Sequence, residues 1–232
     1  MPLVPLNVAA DHLATADVLS YRMAPFTADP LAWLPSKMIA IGGRNPDVHT
    51  ALLDRLGERW IALGMRLARQ KLKPLVDEVR ANPGRIDVYR MTRFGGQFER
   101  LPEPGLQFET RAAICDEMRS LALADRYGAW NVVRSSLWFL PFTRWLVADL
   151  REDDWNDVRP YCSQAVSHVY RRHAAALLNN RPDRLMLPGD VVTTPLLTKL
   201  FTLDVPTNFP RPIGDYLETN EISPTGWCGD EL

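Results

Sequence analysis

A cysteine stands at the start of a helical pattern in this chain: Arg159-Pro160-Tyr161-Cys162-Ser163-Gln164, then apolar spacing from Ala165 to Leu178. Backbone N–H groups at a helix start lack intrahelical partners, and the helix dipole favours negative charge there. A thiol so placed is drawn toward the thiolate, the nucleophile of cysteine hydrolases. Such a thiolate needs a base, and the chain has four histidines: His12, His49, His168 and His173. His168, six positions on, is turned by about 240° from Cys162. His173, eleven positions on, returns to the same face but lies about 16 Å along the axis. His12 sits in an N-terminal segment without strand context. His49 begins a β-type run behind the loop Gly42-Gly43-Arg44-Asn45-Pro46-Asp47 and is the remaining candidate. A strand-borne histidine facing a helix-borne cysteine is a papain-type arrangement.

The elements that must position these two groups fall into two halves. The first half reads as short strands: 16–22, 48–53, 60–63 and 85–90, with Arg55-Leu56-Gly57-Glu58 as a turn. Residues 31–41 read as partly helical and 73–81 as a short helix or loop. The second half turns helical over 110–126, 131–150 with a break at Pro141, and 162–179. The expected architecture is one α+β domain over 1–204. A proline-rich tail, 205–232, lies over its surface.

Composition narrows the function classes. Of 232 residues, 46% are hydrophobic and 24% charged, with a net charge of -1. This balance leaves no basic footprint for nucleic acid and no polybasic membrane anchor. Three cysteines, Cys115, Cys162 and Cys228, are too few for a disulfide framework, and no two have metal-ligand spacing. No cofactor or metal is expected. The apolar N-terminus, Met1–Ala10, lacks a basic region and is not read as a signal peptide. The most apolar stretch, 130–150, is interrupted by Arg134, Pro141 and Arg144, so no membrane span is expected. Synthesis in the cytoplasm is the reading.

Several segments, taken in order, resemble one family. Ala16-Asp17-Val18-Leu19-Ser20-Tyr21-Arg22 is similar to its opening "GD-(V/L)-L" strand, and Asn45–Leu52 to its "S-x-x-S-H-x-x-(I/M)" segment. Residues 83–90 resemble a following strand of phage-encoded members, and Tyr127–Asn131 the "Y-x-Y/W" element before the cysteine. Tyr161–Val166 matches "C-S-(E/Q)-(L/A)-V", and Leu187–Val191 with Thr194-Pro195-Leu196 the closing "(S/T)-P-x-D … S-P-L". The chain thus resembles, over residues 16 to 200, the circularly permuted NlpC-type papain-fold cysteine hydrolases.

That resemblance implies a papain-like fold with an antiparallel sheet, its histidine strand early and its cysteine helix late. It implies Cys162 as nucleophile and His49 as base in a dyad acting on amide bonds. The implied substrate is a peptide or a cell-wall amide in peptidoglycan. The N–H of Cys162 is one expected oxyanion donor, and Tyr161 and Gln164 are expected at the pocket; Tyr161 also reads as a packed aromatic. Phage-encoded relatives imply a phage or prophage association, with virion proteins as partners. One departure stands out. The family's polar group that orients the imidazole, often glutamate, aligns near Gly64, where there is neither carboxylate nor amide. A structural virion or assembly protein that kept the fold and lost catalysis is therefore the alternative, and a hydrolase acting on acyl groups a third.

Overall fold

In a computed structural model, the described residues are 2–25, 30–65, 72–94, 99–100, 105–124, 129–138, 142–143, 160–178, 181–208, 211 and 213–218. They form a seven-stranded sheet with helices on both faces, an α+β fold. The strands are β1 (Leu3–Pro5), β2 (Val18–Arg22), β3 (Asp47–Leu56), β4 (Arg59–Leu63), β5 (Leu72–Pro74), β6 (Ile86–Met91) and β9 (Leu197–Asp204). Two short strands, β7 (Arg93–Phe94) and β8 (Glu99–Arg100), pair apart from it. The helices are α1 (Leu6–Ala9), α2 (Pro30–Gly43), α3 (Leu75–Ala81), α4 (Phe108–Leu123), α5 (Ala129–Trp138), α6 (Cys162–His173), α7 (Pro188–Val192) and α8 (Ile213–Glu218).

The sheet order is β1-β9-β6-β2-β3-β4-β5. It is mixed rather than antiparallel throughout, because β1 runs parallel to β9. The 205–232 segment, expected as a proline-rich surface tail, contributes α8, which reaches β1. Helix 131–150 is described only to Trp138; the rest of that reading, with Trp145, lies outside the described residues.

Alternation of side chains along each strand gives the sheet two apolar faces. Val18, Leu52, Ile61, Leu63 and Tyr89 pack with Ile114 and Met118 of α4 and with Ala165, Val166, Val169 and Tyr170 of α6. Leu19, Tyr21, Ala51, Leu53, Ala62, Ile86 and Val88 pack on the other side with Leu75 and Val79 of α3 and Val4 of β1. The β3–β4 hairpin turns at Gly57-Glu58, where Gly57 takes the φ of +59° that a two-residue turn requires.

The helix-side face also carries a polar row. Thr50, Ser20, Asp87 and Thr202 lie opposite one another across β3, β2, β6 and β9, and all are buried. A bulge between Tyr21 and Arg22 shifts β3 so that Asp47, not Val48, opposes Arg22. Asp47 thereby joins the row and accepts the Ser20 hydroxyl at 2.6 Å. Asp87 accepts the Thr202 hydroxyl and the Lys199 ammonium, each at 2.6 Å.

Candidate active site

Cys162 opens α6, with Tyr161 as the N-cap in extended conformation. The Tyr161 carbonyl accepts the first helical bond, from Ala165 N–H at 2.9 Å. The helix end is fixed from both sides. Tyr161 donates its hydroxyl to the Arg184 carbonyl at 2.8 Å, and Ser163 donates to the Met186 carbonyl at 2.6 Å. Ile39 of α2 covers Tyr161 and Cys162. These contacts press the first turn of α6 onto β3.

The Cys162 thiol is 3% exposed. Burial pushes its pKa above the usual thiol value, opposed by the backbone N–H groups of Thr50 and Ser163 and by their hydroxyls. The sulfur thus rests among backbone donors from a helix start and from a strand. Their pull toward the thiolate is outweighed by desolvation in the closed fold.

Thr50 is the β3 residue that favours the charged sulfur, and His49 is its neighbour in sequence. In extended backbone, successive side chains take opposite faces. Thr50 takes the α6 face. The His49 ring packs on Tyr21, its register partner on β2, with centroids 5.1 Å apart and planes at 56°. Tyr21 belongs to the apolar layer on the far side of the sheet. The strand of the expected base therefore meets the end of the cysteine helix. The β4 pairing covers only Leu52–Leu56, so among the described residues His49 and Thr50 have a strand neighbour on one side, β2. Continuing the β3–β4 register past Leu63 sets Gly64 opposite Ala51, two residues from His49 and on its face. A side chain at 64 would project beside His49, and glycine supplies none.

The two residues expected at the pocket, Gln164 and Tyr161, are placed differently from each other. Gln164 is turned by about 200° from Cys162 around α6. It shares the outer face of the helix with Ser167, His168 and Arg171, all bound to or paired with Asp183. It is fully buried there, and neither amide atom has a hydrogen-bond partner. Tyr161 directs its hydroxyl to a backbone carbonyl, as a packed anchor of the Asp183–Leu185 turn. The other histidines have structural roles. His168 and His173 both face Glu117 of α4, and the His12 carbonyl accepts from Arg90. Asp190 holds a turn by accepting the Leu187 N–H at 2.8 Å. Trp138 packs on Leu185 and Phe142 is exposed, while Phe139 lies outside the described residues.

Thr50 escaped the sequence reading because strand parity is invisible until the register is known. Among the described residues, no group of three His, Cys, Asp or Glu side chains is placed to hold a metal ion. No described helix is long and apolar enough to cross a membrane.

The fold defines an α+β protein with a helix that opens on a cysteine lying on its sheet. No family model matches the chain, and no curated protein matches it. Among solved structures it is similar to the crystal structure of metalloprotein yiiX from Escherichia coli O157:H7, DUF1105. The identity is 17% and the TM-score 0.51, over 83% of this chain and 98% of that one. At that identity the likeness concerns the fold.

Proposed function

We propose that the protein is a papain-like cysteine hydrolase of the permuted NlpC type, acting on amide bonds of peptides such as those of the cell wall. The observation that carries this reading is the position of the Cys162 sulfur at a helix N-terminus, against the N–H groups of Thr50 and Ser163. Such donors favour a thiolate and, after attack, an oxyanion. The order of elements supports it too: the histidine strand comes early and the cysteine helix late, both on one sheet. In this mechanism the Cys162 proton passes to His49, the sulfur adds to the amide carbonyl, and the protonated imidazole returns the proton to the leaving amine. Water then hydrolyses the acyl-enzyme. For this transfer the His49 ring, packed on Tyr21 across the sheet from α6, has to swing to the sulfur past the margin of β3 that β4 does not pair.

The test is release of amine from a peptide amide and from cell-wall peptides. Cys162→Ala is expected to abolish turnover, and His49→Ala to lower it by about 10²–10⁴-fold. Wild-type turnover equal to that of Cys162→Ala would reject the proposal. That outcome belongs to a second reading, favoured by Gly64 standing where an orienting carboxylate is expected and by the burial of the thiol. On that reading the chain is an assembly protein that keeps the fold without the chemistry.

A further inference from the structure

We propose that Thr50 is a further catalytic residue, whose hydroxyl donates a hydrogen bond to the Cys162 sulfur when that sulfur is charged; this rests on the hydrolase reading given above. Three observations carry it. Thr50 is fully buried on the α6 face of β3. Its Oγ1 forms no regular hydrogen bond in the folded chain, although a buried hydroxyl without a partner is costly and uncommon. Cys162 opens the helix that packs on this strand, and Thr50 is among the groups that favour a negative charge on its sulfur.

The other hydroxyl beside the sulfur is already engaged. Ser163 donates to the Met186 carbonyl at 2.6 Å, so its proton points away from Cys162. Ser20, opposite Thr50 on β2, donates to Asp47. Of the three, Thr50 has the hydroxyl that finds no acceptor in the folded chain. A neutral thiol is a weak acceptor, which accounts for the idle hydroxyl in the resting protein. A thiolate is a strong one, and hydrogen bonds to charged groups are roughly twice as strong as neutral ones.

The step balances simply. The Sγ–H bond of Cys162 breaks, its proton goes to the His49 imidazole, and the charge left on sulfur accepts the Thr50 O–H. The Thr50 proton stays on Oγ1 throughout. As the sulfur forms its bond to the carbonyl carbon, its charge passes to the carbonyl oxygen.

The test replaces Thr50 by Val, which keeps the β-branched shape and the backbone N–H, and by Ser, which keeps the hydroxyl. Alkylation of Cys162 by iodoacetamide is followed by mass spectrometry at fixed pH in the full chain. Loss of the donor is expected to cut the thiolate fraction by about tenfold. The more basic sulfur is also more nucleophilic, with a Brønsted coefficient of about 0.4–0.5, so the observed rate falls by about threefold. Thr50→Ser restores the rate, and the thermal midpoint of Thr50→Val stays level or rises. An unchanged alkylation rate in folded Thr50→Val overturns the proposal. Turnover separates it from the parent reading. Slower alkylation in a protein that hydrolyses no amide keeps the Thr50–sulfur bond and rejects the hydrolase. Normal alkylation and kcat in Thr50→Val, with amides still cleaved, rejects Thr50 alone.

Discussion

Tyr170 donates its hydroxyl to the carbonyl oxygen of Ala16, a residue held at a φ of +64°. Tyr170 is on the cysteine helix and Ala16 leads into β2, so one bond ties the C-terminal half of α6 to the start of a central strand. Left-handed backbone at an alanine is costly, and the tyrosine is one of the contacts that holds it. Tyr170→Phe is expected to destabilise the protein by about 1–2 kcal/mol. Denaturant unfolding checks this, and a variant as stable as the parent would show the bond to be incidental.

Asp47 is governed by burial, which raises its pKa, with the Ser20 hydrogen bond lowering it and the Asp87 charge raising it again. A carboxyl whose folded pKa is raised contributes stability below its unfolded pKa. That contribution is lost as pH rises through the folded value. Removing the charge should therefore help more at neutral than at acid pH. Asp47→Asn, which can still accept from Ser20, is expected to raise the melting temperature at pH 7 by about 2–4 °C. The gain shrinks toward pH 4 and below. Equal shifts at both ends of a pH series of melting curves would contradict the assignment.

Asp183 shows the opposite sign. Burial raises its pKa, but the hydrogen bonds of His168 and Ser167 and the Arg171 charge outweigh it, leaving the pKa lowered. Its stabilising contribution is present above the unfolded pKa and is lost as pH falls through the folded one. Asp183→Asn is expected to cost about 2 kcal/mol at pH 7 and to soften the acid limb of the stability profile. Urea titrations at pH 7 and pH 3.5 measure the difference.

Gly105 sits at a φ of +101°, and a Cβ built there would lie 2.6 Å from the Met91 carbonyl oxygen. Both the conformation and the space exclude a side chain. Gly105→Ala is expected to destabilise by about 1–3 kcal/mol. Thermal melting of that variant beside Gly57→Ala, which meets nothing within 4 Å, separates the clash from the conformational strain.

The sequence made α6 readable because a polar start, Tyr161-Cys162-Ser163, precedes a long apolar spacing. The hairpin β3–β4 was readable for a similar reason: two apolar runs, Ala51-Leu52-Leu53 and Trp60-Ile61-Ala62-Leu63, flank a turn at Gly57. Strand β9 was not. Leu197-Thr198-Lys199-Leu200-Phe201-Thr202-Leu203-Asp204 breaks alternation because β9 itself bulges at Leu200, one extra residue opposite Val88 and Tyr89 of β6. The bulge at Tyr21 likewise hid Asp47, which local alternation would send to the wrong face. The polar row Thr50–Ser20–Asp87–Thr202 joins residues far apart in sequence, and only the strand order brings them side by side. Cys162 was legible as a candidate from its own neighbours. Thr50 was not, because its role depends on which side of β3 the helix covers.

The place of β9 has a consequence for how the protein is made. This strand, about 200 residues along the chain, lies between β1 and β6 and pairs Thr202 with Leu3. While a ribosome is still adding the residues before it, β1 has no sheet neighbour and β6 keeps one edge open. Closure of the sheet must wait for β9, Leu197–Asp204, to emerge, and contacts of such long sequence separation form slowly. The exposed edge of β6 is then a hazard for pairing with other nascent chains. Slower release, or a chaperone that covers that edge, should raise the yield of folded protein more than any change at the cysteine helix.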